Sequence, residues 1–297
     1  MNRRDLLRLS FLLGTASAVG SGAKKAEGKP NDDASSRRIT DTNVSLSHWP
    51  FRRLPLDEPE LLVNKLRSLG ISAAWAGSFE GILHRDLTSA NQRLAATCAR
   101  HPELVPIGSI NLDLPDWEED LRRCIEEHEM PGVRLHPNYH GYQLDDPRFG
   151  RLLTAARDSK RFVQVAACLE DTRTQHPLLN VPDVDLSLLP EVMQHVPGAT
   201  VQILNYRPRQ PLLGKLAATP GIYFDTARVE ATDGIAELLA NVPSGRVMFG
   251  THAPFLIPES AMIRIHESNP DVQALAALLS GTAEELRRRS ADNIGDQ

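Results

Sequence analysis

Polar side chains that could do chemistry alternate with apolar ones in the first stretch of this sequence that is typical of a β-strand. Asn43 and Ser45 alternate with Val44 and Leu46, and His48 lies in the loop that follows. A period of two places the apolar pair on one face of a strand and the amide and hydroxyl on the other. We therefore expect the chemistry of the chain to begin at the end of this strand.

Later strand-like segments end in titratable residues. The candidate catalytic residues are His136, Asp225 and His252. The candidate substrate-binding residues are Asn43, Ser45, His48, Arg134, His140 and Asn205. An unperturbed imidazole has a pKa of about 6.5 and can act as a general acid or base near neutrality, and arginine can stabilise a carboxylate or an oxyanion. This set predicts acid–base chemistry without a metal on a small polar or carboxylated molecule.

The elements that must position these residues alternate between short apolar strands and amphipathic helices. Eight strand–helix units between residues 39 and 265 match the size of a (β/α)₈ TIM barrel, which is typically about 250 residues. Residues 271–291 predict one or two extra C-terminal helices outside the barrel. A doubly wound sheet is the alternative, although we find no Gly-rich phosphate turn after the first strand. In a barrel the carboxyl ends of the strands share one mouth, where the candidate residues would meet.

The later strands of this barrel can be placed from their apolar runs. They are predicted at residues 72–76, 105–110, 132–136, 162–167, 200–205, 222–226 and 246–250.

Three stretches resemble the amidohydrolase-related (amidohydrolase 2) family of TIM-barrel metal-dependent hydrolases and decarboxylases. Residues 132–137 read GVRLHP and are similar to the family's fourth-strand motif, and residues 246–255 read RVMFGTHAPF and are similar to its eighth-strand motif. Residues 279–283 are similar to its C-terminal Leu-Gly-Gly-Asn-Ala. The resemblance covers about residues 39–283 and implies a barrel enzyme, without specifying one substrate.

The positions that would carry the family's metal ligands hold other residues. The family opens with Asp-x-His-x-His, whereas Asp41 is followed here by Asn43 and Ser45. The strands that should supply two more histidines end in Ala-Ala-Cys and Ile-Leu-Asn, and His252 stands where the family has Asp. A hydrolytic zinc site usually needs three protein ligands and an open position. We therefore expect that the inherited metal site is largely lost and assign no metal ligands.

A relocated site for a zinc-like divalent ion is an alternative. It would combine His136, His140, His252 and Asp225 at neighbouring strand ends, although a predicted turn between the first two histidines fixes no ligand geometry. In a simpler alternative, His136 donates to a backbone carbonyl and Arg134 pairs with Asp225 or another carboxylate.

The N-terminus has the layout of an export signal. Arg3 and Arg4 precede an apolar run at residues 11–20 and then small residues. This predicts a twin-arginine-type signal peptide over residues 1–23, a disordered leader over 24–38 and the barrel domain over 39–297. The apolar run is too short to span a bilayer, so we expect its removal and a periplasmic protein with no membrane span.

Composition excludes some partners. The 297 residues include 41% hydrophobic and 24% charged residues and carry a formal net charge of −5, so we expect no attraction to nucleic acid. This composition is compatible with a homo-oligomer.

Together these observations predict an exported hydrolase or lyase of the amidohydrolase-related type that acts on a small-molecule substrate. The alternative is a pseudoenzyme that binds a small ligand or partner at the barrel mouth without turnover. An enzyme that uses His252 should lose rate steeply on His252→Gln, whereas a binder should tolerate this change.

Overall fold

The structure is a computed structural model that describes residues 38–176 and 178–291. The predicted signal peptide over residues 1–23 and the leader as far as residue 37 lie outside the described residues. No helix in the described part of the chain combines the length and hydropathy that crossing a bilayer requires.

The described strands pair in parallel in two ladders, β1 to β3 and β4 to β9. They are β1 (Ile39–Leu46), β2 (Ile71–Ser78), β3 (Leu104–Pro106), β4 (Gly108–Ser109), β5 (Gly132–Leu135), β6 (Phe162–Ala166), β7 (Val201–Leu204), β8 (Ile222–Asp225) and β9 (Val247–Met248). β3 and β4 are two pieces of the one strand predicted at residues 105–110. β3 pairs with β2 and β4 pairs with β5, and Ile107 between them donates its N–H to the carbonyl of Ala76 in β2 at 2.9 Å. The two pieces therefore fill one place in the barrel, between β2 and β5.

The barrel closes between β1 and the segment that contains β9. The N–H of Thr42 donates to the Phe249 carbonyl at 2.9 Å, and the N–H of Ser45 donates to the Ala253 carbonyl at 2.9 Å. The chain order of the strands is therefore also their order around a closed barrel. This confirms the predicted (β/α)₈ fold, and the doubly wound alternative is wrong.

Helices connect the strands and cover the barrel. They are α1 (Pro59–Ser68), α2 (Glu80–Leu83), α3 (Leu87–Cys98), α4 (Trp117–Glu126), α5 (Pro137–His140), α6 (Pro147–Asp158), α7 (Leu189–His195), α8 (Leu212–Ala218), α9 (Gly234–Asn241), α10 (Pro258–Ser268), α11 (Val272–Ala276) and α12 (Thr282–Ala291). Short 3₁₀ turns lie at Thr172–Thr174 and Leu186–Leu188, and a π-helical turn at Ala277–Gly281 joins α11 to α12. The predicted C-terminal helices are thus α11 and α12.

The segment after β5 corrects one expectation. It was expected to be a turn, and it forms the single-turn helix α5. Pro137 occupies the first helical position, where its fixed φ favours the helix and its missing N–H costs nothing. His136 and His140 therefore lie at the two ends of one helical turn.

The outer helices bury the faces that their sequence periodicity indicates. In α6 the buried residues are Phe149, Leu152, Leu153 and Ala156, which recur at the spacing of one helical face. They join the apolar cluster that contains Val163 and Val165 of β6. This packing between helix and sheet holds the strand ends, and hence the mouth residues, in place.

Candidate functional site

Side chains from three strands meet at the carboxyl end of the barrel. Asn43 Nδ2 donates to Asp225 Oδ2 at 2.6 Å and to Asn205 Oδ1 at 2.8 Å. The backbone N–H of Asn205 donates to Asp225 Oδ1 at 3.0 Å, and Asn205 Nδ2 donates to the Cys168 carbonyl at 2.8 Å. Each of the three side chains is at most 2% exposed. The structure thus brings together three of the residues singled out from separate strands.

Burial controls the protonation of Asp225. Desolvation raises its pKa to about 7, although hydrogen bonds from Asn43 and from the backbone of Asn205 and Ala227 act in the opposite direction. The nearby Asp41 carboxylate adds a smaller rise. A carboxyl group of this kind is present in both protonation states near neutral pH, which suits a general acid or base.

A second buried carboxyl group lies at the seam of the barrel. Asp41 Oδ2 accepts from Thr251 Oγ1 at 2.5 Å, and Asp41 Oδ1 accepts from the backbone N–H groups of Asn43 and Thr251, each at 3.0 Å. Burial raises the pKa of Asp41 to about 6, and these hydrogen bonds limit the rise. Asp41 therefore fixes the backbone beside Asn43.

Arg134 projects from β5 into the barrel and is 2% exposed. Its Nε donates to Gln164 Oε1 at 2.8 Å, and its Nη1 donates to the Val44 carbonyl at 2.9 Å and to Ser45 Oγ at 3.2 Å. Burial lowers its pKa to about 10, while the charges of Asp225 and Asp41 raise it in part. The expectation that Arg134 pairs directly with a carboxylate is therefore wrong, because its hydrogen bonds go to neutral groups.

His140 and His252 are buried and already hold backbone carbonyl groups. His252 Nε2 lies 2.8 Å from the Leu169 carbonyl, and His140 Nε2 lies 3.2 Å and 3.1 Å from the carbonyls of Gly81 and Ile82. Burial lowers the pKa of each to about 4, with the hydrogen bonds acting in the opposite direction. Both rings are therefore neutral at physiological pH, with Nε2 as the donor.

His136 lies between these two rings and Arg134. Burial is the largest cause that holds its pKa well below 6.5, followed by the charges of His140, Arg134 and His252. Its ring centroid is 5.9 Å from that of His140. The expected donation to a backbone carbonyl is not seen at Nδ1, which is buried and has no hydrogen-bond partner among the described residues.

His48 lies apart from the other candidates. Its side chain is 51% exposed, and Nε2 is 3.1 Å from Glu58 Oε1. The structure therefore does not bring His48 to the mouth network, although it was predicted to bind substrate.

An aromatic cap lies against His252, whose ring stacks on that of Phe255 at a centroid distance of 5.1 Å. We give this name to Trp49, Phe79, Tyr139 and Phe255, whose rings pack edge to face around Trp49 at centroid distances of 5.1 to 6.0 Å. Arg52 and Glu170 form an ion pair between the loops after β1 and β6. The mouth is thus covered by two loops that touch each other, a feature that single-strand patterns could not predict.

Two neighbouring cavities open beside the network. One of about 210 Å³ is lined by Asn205, Arg207 and Arg209, among others. The other, of about 350 Å³, shares Arg207 and Arg209 and adds Arg228 and Glu230. Asn205 therefore connects the network to a surface cavity whose charged lining residues are two arginines and two aspartates, Asp183 and Asp185.

Arg228 lies just after β8 and is not among the residues predicted for the site. It is 5% exposed, its Nη1 lies 3.5 Å from Cys168 Sγ, and its buried Nε has no hydrogen-bond partner in the described chain. Glu230 is its ion-pair partner, at 3.7 Å. Its position three residues after Asp225, at the end of the same strand, is the sequence feature that could have identified it as a site residue.

The side chains present do not fit a metal in this arrangement. Asn43 directs both amide hydrogens at Asp225 and Asn205, whereas a cation needs lone pairs. Among residues 38–176 and 178–291, the donor atoms that cluster within 4.8 Å belong to His48, Asp57 and Glu58, a largely exposed surface group. The relocated set of three histidines and Asp225 does not form such a cluster.

Comparisons with known proteins agree with this fold. A family model described as amidohydrolase matches residues 51–289, which begin just after β1. The chain is similar to 2,6-dihydroxybenzoate decarboxylase from Rhizobium, with 14% identity, a TM-score of 0.66, and coverage of 84% of this chain and 99% of that chain. It is also similar to 5-carboxyvanillate decarboxylase from Novosphingobium aromaticivorans, complexed with manganese, with 14% identity, a TM-score of 0.67, and coverage of 84% and 96%.

A TIM-barrel protein of unknown function from Bordetella bronchiseptica is similar at 17% identity, with a TM-score of 0.66 and coverage of 85% of this chain and 99% of that chain. At such identities these likenesses show the fold alone. The family model, however, matches well over half of the chain. The chain therefore belongs to the amidohydrolase family.

Proposed function

We propose that this protein is a hydrolase or lyase that acts on a small carboxylated molecule without the metal site of its family. The observation that carries the proposal is the buried Asp225 carboxyl group, held by Asn43 and Asn205 beside a cavity that Arg207 and Arg209 help to line. Burying a carboxyl group that ionises near neutral pH costs free energy, and such groups concentrate at functional sites.

Asp225 would move the proton. In a hydrolysis, its carboxylate takes a proton from water as the water oxygen attacks the substrate carbonyl, and it then gives that proton to the leaving group. In a decarboxylation, its acid form protonates the carbon that keeps the electron pair of the broken C–C bond as CO₂ leaves. Asn43 and Asn205 would orient Asp225 in either reaction.

The substrate class is proposed from the guanidinium groups at the cavities, where Asp183 and Asp185 also line the smaller cavity and Glu230 and Glu237 the larger one. Arg207 and Arg209 line both cavities, and Arg228 is buried in the wall of one. Guanidinium groups bind carboxylates through paired, charge-assisted hydrogen bonds. The decarboxylases to which the chain is similar bear the names of aromatic carboxylates, which supports this class of substrate.

His252 would be a positioning residue rather than the base. Its Nε2 holds the Leu169 carbonyl, and its low pKa of about 4 makes it a weak base. His136 and His140 would stay neutral, and Arg134 would support Ser45 and the β1 backbone. Access to Asp225 would require the aromatic cap or the loop that carries Glu170 to move.

A non-catalytic binder is the second candidate. The observation in its favour is the depth of the network, since Asn43, His252 and Asp225 are each 1% exposed. In this case a ligand would occupy the two cavities at the mouth and never reach Asp225.

The experiment compares Asp225→Asn with His252→Gln on 2,6-dihydroxybenzoate, 5-carboxyvanillate and further aromatic carboxylates, with product release and ligand binding measured in parallel. Asp225→Asn should lower kcat/KM at least about 100-fold, the usual contribution of a general acid or base. His252→Gln keeps a donor for the Leu169 carbonyl and should lower it by less than about tenfold. Binding without turnover by the wild type would favour the binder, and full activity of Asp225→Asn would refute the proposed chemistry.

We also propose export to the periplasm through the twin-arginine route, which Arg3 and Arg4 support. Replacing both by Lys should leave the protein in the cytoplasmic fraction. Periplasmic recovery of that variant would refute this route.

A further inference from the structure

A separate basic cavity of about 370 Å³ lies at the opposite end of the barrel. It is bounded by the residues that precede β6 and β7 and by the last turns of α6 and α12. Its charged lining residues are Arg157, Lys160, Arg161 and Arg289. Among the described residues that line it, none carries a carboxylate. Its charges are therefore of one sign, unlike those of the cavities at the mouth.

Arg161 is the buried member of this basic cavity. It is 7% exposed, its Nη1 donates to the Ser290 carbonyl, and its buried Nε has no hydrogen-bond partner in the described chain. None of the ion pairs formed between described residues includes Arg161, and burial lowers its pKa while the charge of Glu129 raises it in part. A buried charge that forms no direct ion pair is costly, so an anion in the cavity would be stabilising.

The other three cations are more exposed. Arg157 pairs with Asp158 at 2.7 Å and Arg289 with Glu285 at 2.9 Å, and both partners lie outside the cavity lining. These two arginines lie in the last turns of α6 and α12, where a positive charge also offsets the negative end of the helix dipole. Lys160 lies beyond the end of α6 and makes no ion pair with any described residue. Neither an ion pair nor the helix dipole therefore explains a positive charge at this position.

We propose that the basic cavity binds a small molecule with phosphate or several carboxylate groups. Arg161 would provide the buried charge, and Arg157, Lys160 and Arg289 would contact the remaining oxygens. The shared chemistry is that of a multivalent oxyanion, for which several converging cations are the usual receptor. The site is independent of the proposed reaction, because it lies at the amino-terminal ends of the strands.

The test is calorimetric titration of the full chain with inorganic phosphate, and separately with citrate, in a buffer without other multivalent anions. One ion should bind per chain, and the ligand that binds more tightly identifies the preferred oxyanion. The double variant Arg157→Gln/Lys160→Gln should weaken binding at least about tenfold, because it removes two charge-assisted contacts. Arg151→Gln removes one exposed charge from α6 that does not line the basic cavity, and it should change the affinity less than about twofold.

Arg161→Gln tests the contribution of the buried charge to binding. Because Arg161 is buried, circular dichroism must first show that this variant is folded. A folded Arg161→Gln protein should bind phosphate more weakly than the double variant does. Unchanged affinity in the double variant, or a loss of binding in Arg151→Gln, would overturn the proposal.

The chain's own C-terminus is the competing source of negative charge, since Asp292 and Asp296 follow Ser290 closely in the sequence. A chain that ends at Ala291 tells the two apart. Phosphate binding by both chains supports a site for a free ligand. Binding by the shortened chain alone would assign the cavity to the C-terminal residues and contradict the proposal.

Discussion

At the scale of single residues, the mouth of the barrel combines acids and bases whose pKa values are displaced toward their neutral forms. Burial raises the pKa of Asp225 to about 7 and lowers that of His140 to about 4. Because the displaced pKa values belong to the folded state alone, each group makes the free energy of unfolding depend on pH. The two groups do so with opposite signs.

The wild type should lose stability as pH rises because Asp225 ionises, and Asp225→Asn should abolish this dependence on pH. Folded Asp225 binds its proton more tightly than the unfolded chain does, so its contribution is fully present below pH 3.8 and is lost as pH rises to about 7. A displacement of this size corresponds to about 4 kcal/mol. Urea unfolding at pH 4.5, 6 and 8 should show the free energy of wild type falling relative to the variant. If the difference in free energy of unfolding between the two proteins were the same at all three pH values, Asp225 would be ionised over this whole range.

His140→Gln should show the reverse dependence. Folded His140 binds its proton more weakly than an ordinary imidazole, so its contribution is present above pH 6.5 and is lost as pH falls to about 4. The wild type should therefore lose about 3 kcal/mol relative to the variant over this interval. Glutamine can still donate to the Gly81 and Ile82 carbonyls, which makes the comparison conservative. The same urea series measures it, and parallel curves for the two proteins would contradict it.

Which residues would meet at the mouth was predictable, but their contacts were not. Asn43, Asn205 and Asp225 stand at strand ends that a barrel must bring together. The predicted carboxylate partner of Arg134 was wrong, because Arg134 donates to Gln164, its paired neighbour on β6, and across the barrel interior to the Val44 carbonyl. Contacts across that interior depend on rotamers and on neighbours distant in sequence.

At the scale of elements, β2 passes close to Arg134 and leaves room only for glycine. A Cβ atom on Gly77 would lie 2.7 Å from Arg134 Nη1 and 2.9 Å from its Cζ. Gly150 on α6 is the matched control, because a Cβ there would meet nothing within 4 Å.

Gly77→Ala should destabilise the protein by about 1–3 kcal/mol, since Arg134 must shift from its buried hydrogen bonds. Gly150→Ala should stabilise it by about 0.5–1 kcal/mol, because alanine favours the helical backbone. Thermal and urea unfolding of the two variants measure both effects. Equal stability of Gly77→Ala and wild type would show that the guanidinium is mobile.

The strands and helices were the most predictable level of this structure. β5 to β8 lie at the predicted ranges and differ from them by a residue or two at their ends. The division of one strand into β3 and β4 was missed. Pro106 has no N–H and disturbs the ladder there, an effect that hydrophobic periodicity does not record.

At the scale of the whole molecule, the family fold is retained, and at its mouth Asn43 directs its amide hydrogens at Asp225 and Asn205. The purified protein, prepared without chelator or His tag, should therefore contain less than about 0.1 equivalent of zinc, manganese, iron or nickel after incubation with metal and desalting, since these N–H groups offer a cation no lone pair. Its melting temperature should not change with EDTA. Elemental analysis that finds near one equivalent, lost in His136→Ala or Asp225→Asn, would restore the relocated metal site.

The seam of the barrel has a practical consequence. β1 pairs with β2 on one edge and with the β9 segment on the other, and it carries both Asn43 and Ser45. A chain that begins after Leu46 would lack β1, so the strands on either side of it would have unpaired edges. An eight-residue synthetic peptide with the sequence of β1 could pair with both. Such a split protein would allow amino acids outside the genetic code to be placed at positions 43 and 45 by chemical synthesis.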